Sequence, residues 1–256
     1  MLLTTLFRPV IVLTLLLFAQ TGGAATVLVA VASNFSKPMT EIAVEFEKAT
    51  SHSAKLSFGS SGKFVSQLEN GAPFEVLLSA DDKGPQKLEQ TGLAIPGSHF
   101  TYALGKLVLW SATPGYIDDQ GEILTTGGFK HLALADPKLA PYGAAAVDVL
   151  KGLDLQDKLQ PLLVLGENIA QTYQFISTGN AELGFVALSQ VIENGKISSG
   201  SGWIIAADRH APIRQDAVLL TLGAENPAAT ALLAYLKSAP ALAIIEKYGY
   251  GLPTHQ

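Results

Sequence analysis

Val27-Leu28-Val29-Ala30-Val31-Ala32-Ser33-Asn34-Phe35 sets the pattern from which the fold of this chain is read. Val27 to Val31 is apolar without alternation, the signature of a strand covered on both faces. The next segment places Met39, Ile42, Phe46 and Ala49 at helical spacing with charges between them, and Pro38 falls in the first turn, where it is tolerated. Ser33-Asn34 therefore sits where a strand hands over to a helix. The first turn of a helix has backbone N–H groups without intrahelical partners and the positive end of the macrodipole, so such a turn can hold an anion.

The same pattern recurs along the chain. Leu56 to Phe58 reads as a strand, Ser60-Ser61-Gly62 as a second polar turn, Lys63 to Glu69 as a helix stopped by Asn70-Gly71, and Phe74 to Ser79 as another strand. A second block begins at Leu107-Val108-Leu109-Trp110. It continues through a strand at 131–135, helices at about 143–152 and 169–177, a strand at 184–186 and a helix at 188–193. A late apolar strand spans 217–222, and two helices, about 228–237 and 239–248, follow; 113–128 is loop-like. Strands alternating with helices through short loops imply an α/β protein whose sheets are parallel or mostly parallel and covered on both faces.

The N-terminus has the three-part layout of a secretory signal peptide: Arg8, an apolar run from Val10 to Ala19, and small residues ending in Gly22-Gly23-Ala24-Ala25. Cleavage is expected after Ala24 or Ala25, so residues 1–25 are read as leader, and the apolar run is too short to span a bilayer, which takes about 20 residues. Its removal deletes Arg8 and no acidic residue, leaving 16 basic against 22 acidic side chains, a net charge of −6. That balance argues against a nucleic-acid partner. The chain has no cysteine, which excludes a lipoprotein anchor, disulfides, thiolate metal sites and a cysteine nucleophile. The histidines at 52, 99, 131, 210 and 255 show no metal-ligand spacing, and no metal site or cofactor is expected. A free periplasmic protein fits these features.

A set of short motifs, in order, gives the chain a family resemblance. They are Val-Ala-Val-Ala-Ser33-Asn34-Phe35, Ser57-Phe58-Gly59-Ser60-Ser61-Gly62, and Gly71-Ala72-Pro73-Phe74-Glu75-Val76-Leu77-Leu78-Ser79-Ala80-Asp81. Ala135-Asp136-Pro137 with Pro141-Tyr142-Gly143, Glu167-Asn168-Ile169, Glu182-Leu183-Gly184-Phe185-Val186 and Tyr248-Gly249-Tyr250 complete it. Over the whole mature chain this resembles the molybdate-binding proteins of ABC importers, within the type II periplasmic-binding superfamily. The resemblance implies a two-lobed clamp of mixed, mostly parallel sheets flanked by helices, with the ligand in the cleft. Lobe one is then 26–103 plus 215–256, lobe two is 104–214, and closure is a hinge motion about crossover strands near 103–107 and 213–218. It also implies ligand contacts at Ser33, Asn34 and Ser61 from lobe one and at Tyr142 and Ile169 from lobe two. Many relatives use a tyrosine hydroxyl after the Gly-aliphatic-Val strand; this chain has Ala187 there and Tyr142 elsewhere, so Tyr142 is expected to supply the missing donor. The implied function is capture of molybdate or tungstate by a monomer and delivery to an inner-membrane ABC permease, without catalysis.

The residues themselves carry part of this reading. None of the five positions is Lys or Arg, so ligand charge would be met by neutral donors and dipoles. None is a carboxylate either, which suits a fully ionised tetrahedral dianion, since that only accepts hydrogen bonds, and disfavours a protonated phosphate. Sulfate or another small oxyanion passes the same test, with cavity size left to discriminate. A single Ser or Asn before a helix is most often only an N-cap; the reading rests on several such turns together. A different class is suggested by Ser60-Ser61-Gly62-Lys63, which matches the S-x-x-K pattern of penicillin-recognising serine hydrolases with Ser60 as nucleophile, although the companion S-D-N and K-T-G motifs are absent.

Overall fold

The computed structural model describes residues 23–253. The leader expected at 1–25 lies outside them except for its last three positions. In chain order, β1 (Thr26–Ala32) runs through a single 3-10 turn at Ser33–Phe35 into α1 (Ser36–Thr50), β2 (Ser53–Gly59) into α2 (Ser61–Glu69), and β3 (Val76–Ser79) leads to α3 (Lys83–Gln90). After β4 (Phe100–Gly105) come β5 (Leu107–Ser111), α4 (Ile123–Thr126), β6 (Leu132–Ala135), α5 (Pro141–Gly152), α6 (Gln156–Leu159), β7 (Leu163–Gly166) and α7 (Ile169–Ser177). Then follow β8 (Leu183–Ala187), α8 (Leu188–Val191), a small hairpin of β9 (Ile192–Glu193) and β10 (Lys196–Ile197), and β11 (Ser201–Ile204). β12 (Ile213–Leu219), α9 (Pro227–Tyr235) and α10 (Ala239–Lys247) close the chain.

The strands form two five-stranded sheets, ordered β2-β1-β3-β12-β4 and β11-β5-β8-β6-β7. Both are mixed. β1 pairs in parallel with β2 and β3, while β12 runs antiparallel to β3 and β4. In the second sheet β6 is parallel to β7 and β8, and β5 is antiparallel to β8 and β11. The antiparallel share comes from chain crossing: β5 enters the second sheet directly from β4 after Lys106, and β12 re-enters the first sheet from β11, so neither has a crossover helix to set it parallel.

Burial explains why these segments become these elements. Val27, Val29 and Val31 point into a core with Met39, Ile42 and Phe46 of α1, Leu232 of α9 and Ile245 of α10. Ala30 faces the opposite side of the sheet, with Leu77 and Leu88. Both faces are therefore dry, as the continuous apolar run requires, and each fully buried Val, Met, Ile or Phe side chain contributes roughly 1.5–3 kcal/mol. The second sheet repeats the arrangement, with Leu107, Leu134, Phe185 and Val149 on one side and Val108, Trp110 and Ile176 on the other. Among the described residues no single helix is long and apolar enough to cross a membrane.

Several elements depart from the sequence expectation: α4 lies in the stretch read as loop-like, β7 and β11 were not read, and three others begin or end elsewhere. The late strand starts at Ile213 rather than Ala217, because Gln215 and Asp216 are fully buried despite their polarity and mark a β-bulge between them. The helix expected at 188–193 is one turn long, since Ile192 and Glu193 pair with Ile197 and Lys196. The helix expected from Gly143 begins at Pro141, so Tyr142 lies within its first turn. Gly143 fixes that placement: a Cβ there would lie 2.0 Å from the Ala135 carbonyl oxygen, so only glycine lets α5 start against the end of β6.

Candidate functional site

Four strand-to-helix turns meet between the sheets. They enclose a cavity lined by Ser33 and Asn34 after β1, Ser60 and Ser61 after β2, Pro141 and Tyr142 opening α5, and Asn168 and Ile169 opening α7, with Ala80 and Ala140 beside them. All five positions expected from sequence thus line one cavity. Its volume is about 10 Å³, far below the roughly 300–1,000 Å³ of sites for drug-sized molecules. A site this tight excludes organic ligands of that size.

The cavity wall is built of donors. Ser61, Tyr142 and Ile169 fall in the first turns of α2, α5 and α7, where a backbone N–H finds no intrahelical acceptor, and among the described residues none of the three pairs with another backbone carbonyl. The Ser61 hydroxyl oxygen accepts from the Ala80 N–H at 2.9 Å, which orients the hydroxyl and leaves its proton free. Asn168 is the N-cap of α7: its Oδ1 accepts from Ala170 and Gln171 at 3.0 and 3.1 Å, and from the Ser33 hydroxyl of the opposite turn at 3.3 Å. No lining residue carries a formal charge, and among the described residues no group of three His, Asp or Glu side chains is arranged to hold a metal ion.

Contacts across the cleft hold the two sheets' turns together. Gly62 donates its N–H to the Leu139 carbonyl at 3.0 Å, Lys63 pairs with Glu167 at 2.5 Å, and the Lys37 ammonium donates to the Gln190 carbonyl at 2.9 Å. Deeper in, Ser189 donates to the Asn34 carbonyl at 2.8 Å, and the Tyr250 hydroxyl touches both partners at 2.8 and 3.1 Å.

The Asn34 and Tyr142 side chains have surroundings of their own. The Asn34 amide donates to Gln215 Oε1 at 2.7 Å and to the Tyr250 hydroxyl at 2.9 Å, so both of its protons are spent on residues that do not line the cavity. The Tyr142 hydroxyl is buried beside Tyr250 and Asn34 yet aligned with neither as a hydrogen bond. It packs onto Gly105, where a Cβ would come within 2.2 Å of it. Burial first, then the neighbouring Tyr250 and Tyr102, hold this hydroxyl well above the ordinary tyrosine range, and burial pushes Tyr250 up to about 12. Both stay neutral at physiological pH. The backbone N–H of Tyr142, in the first turn of α5, has no backbone carbonyl partner among the described residues.

Sequence reading passed over Asn168, Ser189 and Tyr250 as parts of the site, and gave Ser60 only as a residue of the polar turn and as the nucleophile of the hydrolase alternative. Asn168 carried a signal, a capping residue directly before a helical stretch. Ser189 and Tyr250 carried none, because their roles come from contacts 155 and 216 residues distant in the chain.

Known proteins align with this chain throughout. A family profile described as "Bacterial extracellular solute-binding protein" matches residues 27–251. The molybdate-binding protein ModA of Azotobacter vinelandii is 58% identical over 97% of this chain and 98% of its own length, and that of Rhodobacter capsulatus is 53% identical over 91% and 90%. Among solved structures, the periplasmic molybdate-binding protein of Azotobacter vinelandii superposes with a TM-score of 0.86 at 44% identity, covering 89% of this chain and 100% of that one. The sulfate-binding protein SubI of Mycobacterium tuberculosis shares the fold at 12% identity, with a TM-score of 0.71 over 88% and 86% of the two chains.

Proposed function

The chain belongs to the bacterial extracellular solute-binding protein family, and we propose that it captures molybdate, with tungstate as an accepted analogue, and delivers it to an ABC importer. It works as a periplasmic monomer whose two lobes close on the ion. The observation that carries this reading is the cavity itself: four helix starts converge on a small cavity lined only by neutral groups. Such donors, fixed before the ligand arrives, favour a dianion without a counter-charge that would hold it too firmly to release. In this reading the Ser33 hydroxyl turns its one proton from Asn168 to the entering ligand, and Ser61 with the backbones of Asn34, Tyr142 and Ile169 contacts the remaining ligand oxygens.

A fully ionised tetraoxyanion accepts from every donor. A protonated phosphate must also donate, and no carboxylate lines the cavity to take its proton. Size then separates sulfate from molybdate, because a smaller ion leaves some buried donors unpaired, at about 1–3 kcal/mol each. Titration calorimetry with molybdate, tungstate, sulfate and phosphate tests the proposal; binding of the first two in preference to the others is expected, and no heat or thermal stabilisation with any of the four refutes it.

The hydrolase alternative loses its base. Lys63, which would activate Ser60, is paired with Glu167 across the cleft, and no charged side chain lines the cavity.

A further inference from the structure

The Ser60 hydroxyl is at odds with its own position. Ser60 is the N-cap of α2, where a serine ordinarily accepts from the N–H two or three residues on, yet its side chain makes no capping bond. The residue is 3% exposed, and Oγ meets no hydrogen-bond partner. One usual partner is already taken: the Gly62 N–H donates to Leu139 on the opposing lobe. A buried hydroxyl without a partner in a native structure calls for an explanation. Ser60 lines the ion cavity directly beside Ser61.

From this geometry we infer that Ser60 is a further ligand donor, its O–H directed at an oxygen of the bound oxyanion. The inference rests on the proposed oxyanion function. Two consecutive serines then divide the work. Ser61 is pre-oriented by Ala80 and presents a fixed proton, whereas the Ser60 rotor is free and adjusts to the ion that enters. The closed lobes make this possible, because the bond from Gly62 to Leu139 releases Ser60 from capping. A donor set of Ser60 Oγ, Ser61 Oγ and the Ser61 N–H gathers three hydrogen bonds from one turn, with no charge added.

The test is calorimetry of Ser60→Ala with molybdate, tungstate and sulfate, together with the melting temperature of the ligand-free protein and a crystal structure of the wild-type complex. A hydrogen bond to a charged group predicts a loss of molybdate affinity of roughly 10- to 100-fold, an unchanged ligand-free melting temperature, and Ser60 Oγ within hydrogen-bond distance of the ion. Affinity within twofold of wild type, or a bound ion out of reach of Ser60, overturns the assignment. A fall in ligand-free melting temperature with affinity retained overturns it too, as the mark of a residue that only supports the fold. Failure of wild type to bind any of the three ions is a separate outcome: it removes the oxyanion reading and this inference with it.

Discussion

Replacing Asn168 separates the two things this residue does. Its Oδ1 caps α7 through Ala170 and Gln171 and accepts from Ser33 across the cleft. Asn168→Ala removes the cap, at about 1 kcal/mol, so affinity should fall by no more than about tenfold. Asn168→Asp keeps an acceptor of the same shape but adds a negative charge to the cavity wall. The Ser33 hydroxyl lies 3.3 Å from Oδ1, and a second hydrogen-bond step of roughly 3 Å leads to the ligand, so the new charge stands about 6 Å or less from a dianion. With an effective dielectric near 20 the repulsion is about 5 kcal/mol, equivalent to a loss of more than roughly 1,000-fold. The two variants thus rank in opposite order for stability and for binding: Asp, at a helix N-terminus, should melt at or above wild type, and should bind far worse than Ala. Its affinity should also recover as pH is lowered toward the carboxylate range, where protonation removes the repulsion. Calorimetry and thermal melts of the two variants measure both quantities. Binding by Asn168→Asp within threefold of wild type, or equal losses in the two variants, would refute the claim that these helix starts hold an anion.

Further outcomes follow from individual contacts. Ser61→Ala removes a donor and leaves the Ala80 N–H without its acceptor, so affinity should fall roughly 10- to 100-fold by calorimetry; unchanged affinity removes Ser61 from the site. Tyr142→Phe deletes a hydroxyl that has no partner, so affinity should stay within about threefold, and a loss above tenfold would instead assign that hydroxyl to the ligand. The exposed pair of Lys63 and Glu167 is worth about 1 kcal/mol at most: Lys63→Glu should raise the ligand off-rate no more than about fivefold in stopped flow, the effect should fade in high salt, and adding Glu167→Lys should restore the wild-type rate. Burial raises the Asp81 carboxyl above the usual aspartate range, so its folded form holds a proton to higher pH than its unfolded form. The resulting stability is present at low pH and is lost as pH rises through the raised value. Asp81→Asn, which keeps the carbonyl oxygen that accepts from Gly84, should therefore gain on wild type in thermal melts at pH 7 and lose that advantage near pH 3; an equal difference at both pH values argues against it.

Most of the architecture was legible because burial on both faces of a sheet leaves a continuous apolar run. β1 and β3 are such runs, and α1 shows its core face as Met39, Ile42 and Phe46. β12 was only half legible. Its first four residues are Ile213, Arg214, Gln215 and Asp216, of which Gln215 and Asp216 are polar groups buried against the distant Asn34 and His99, and no local pattern announces such pairing. The polar turns were legible as places for an anion, since a helix start has its donors wherever the chain goes next.

By itself, then, the sequence determined the α/β class, the turns that offer helix N-termini, and the neutrality of the residues on them, because strand, helix and cap preferences act over a few neighbouring residues. Only the tertiary structure decided how each group is used. Ser33 lies 135 residues from Asn168, and Tyr250 lies 216 from Asn34, yet each pair is in hydrogen-bond contact. That closeness turns the Tyr142 ring and the Asn34 amide toward the hinge, commits the Gly62 N–H to the opposite lobe, and leaves the Ser60 hydroxyl free. Whether a donor faces an ion or another part of the chain depends on which distant segment closes over it, and that is fixed by packing between lobes rather than by local propensity.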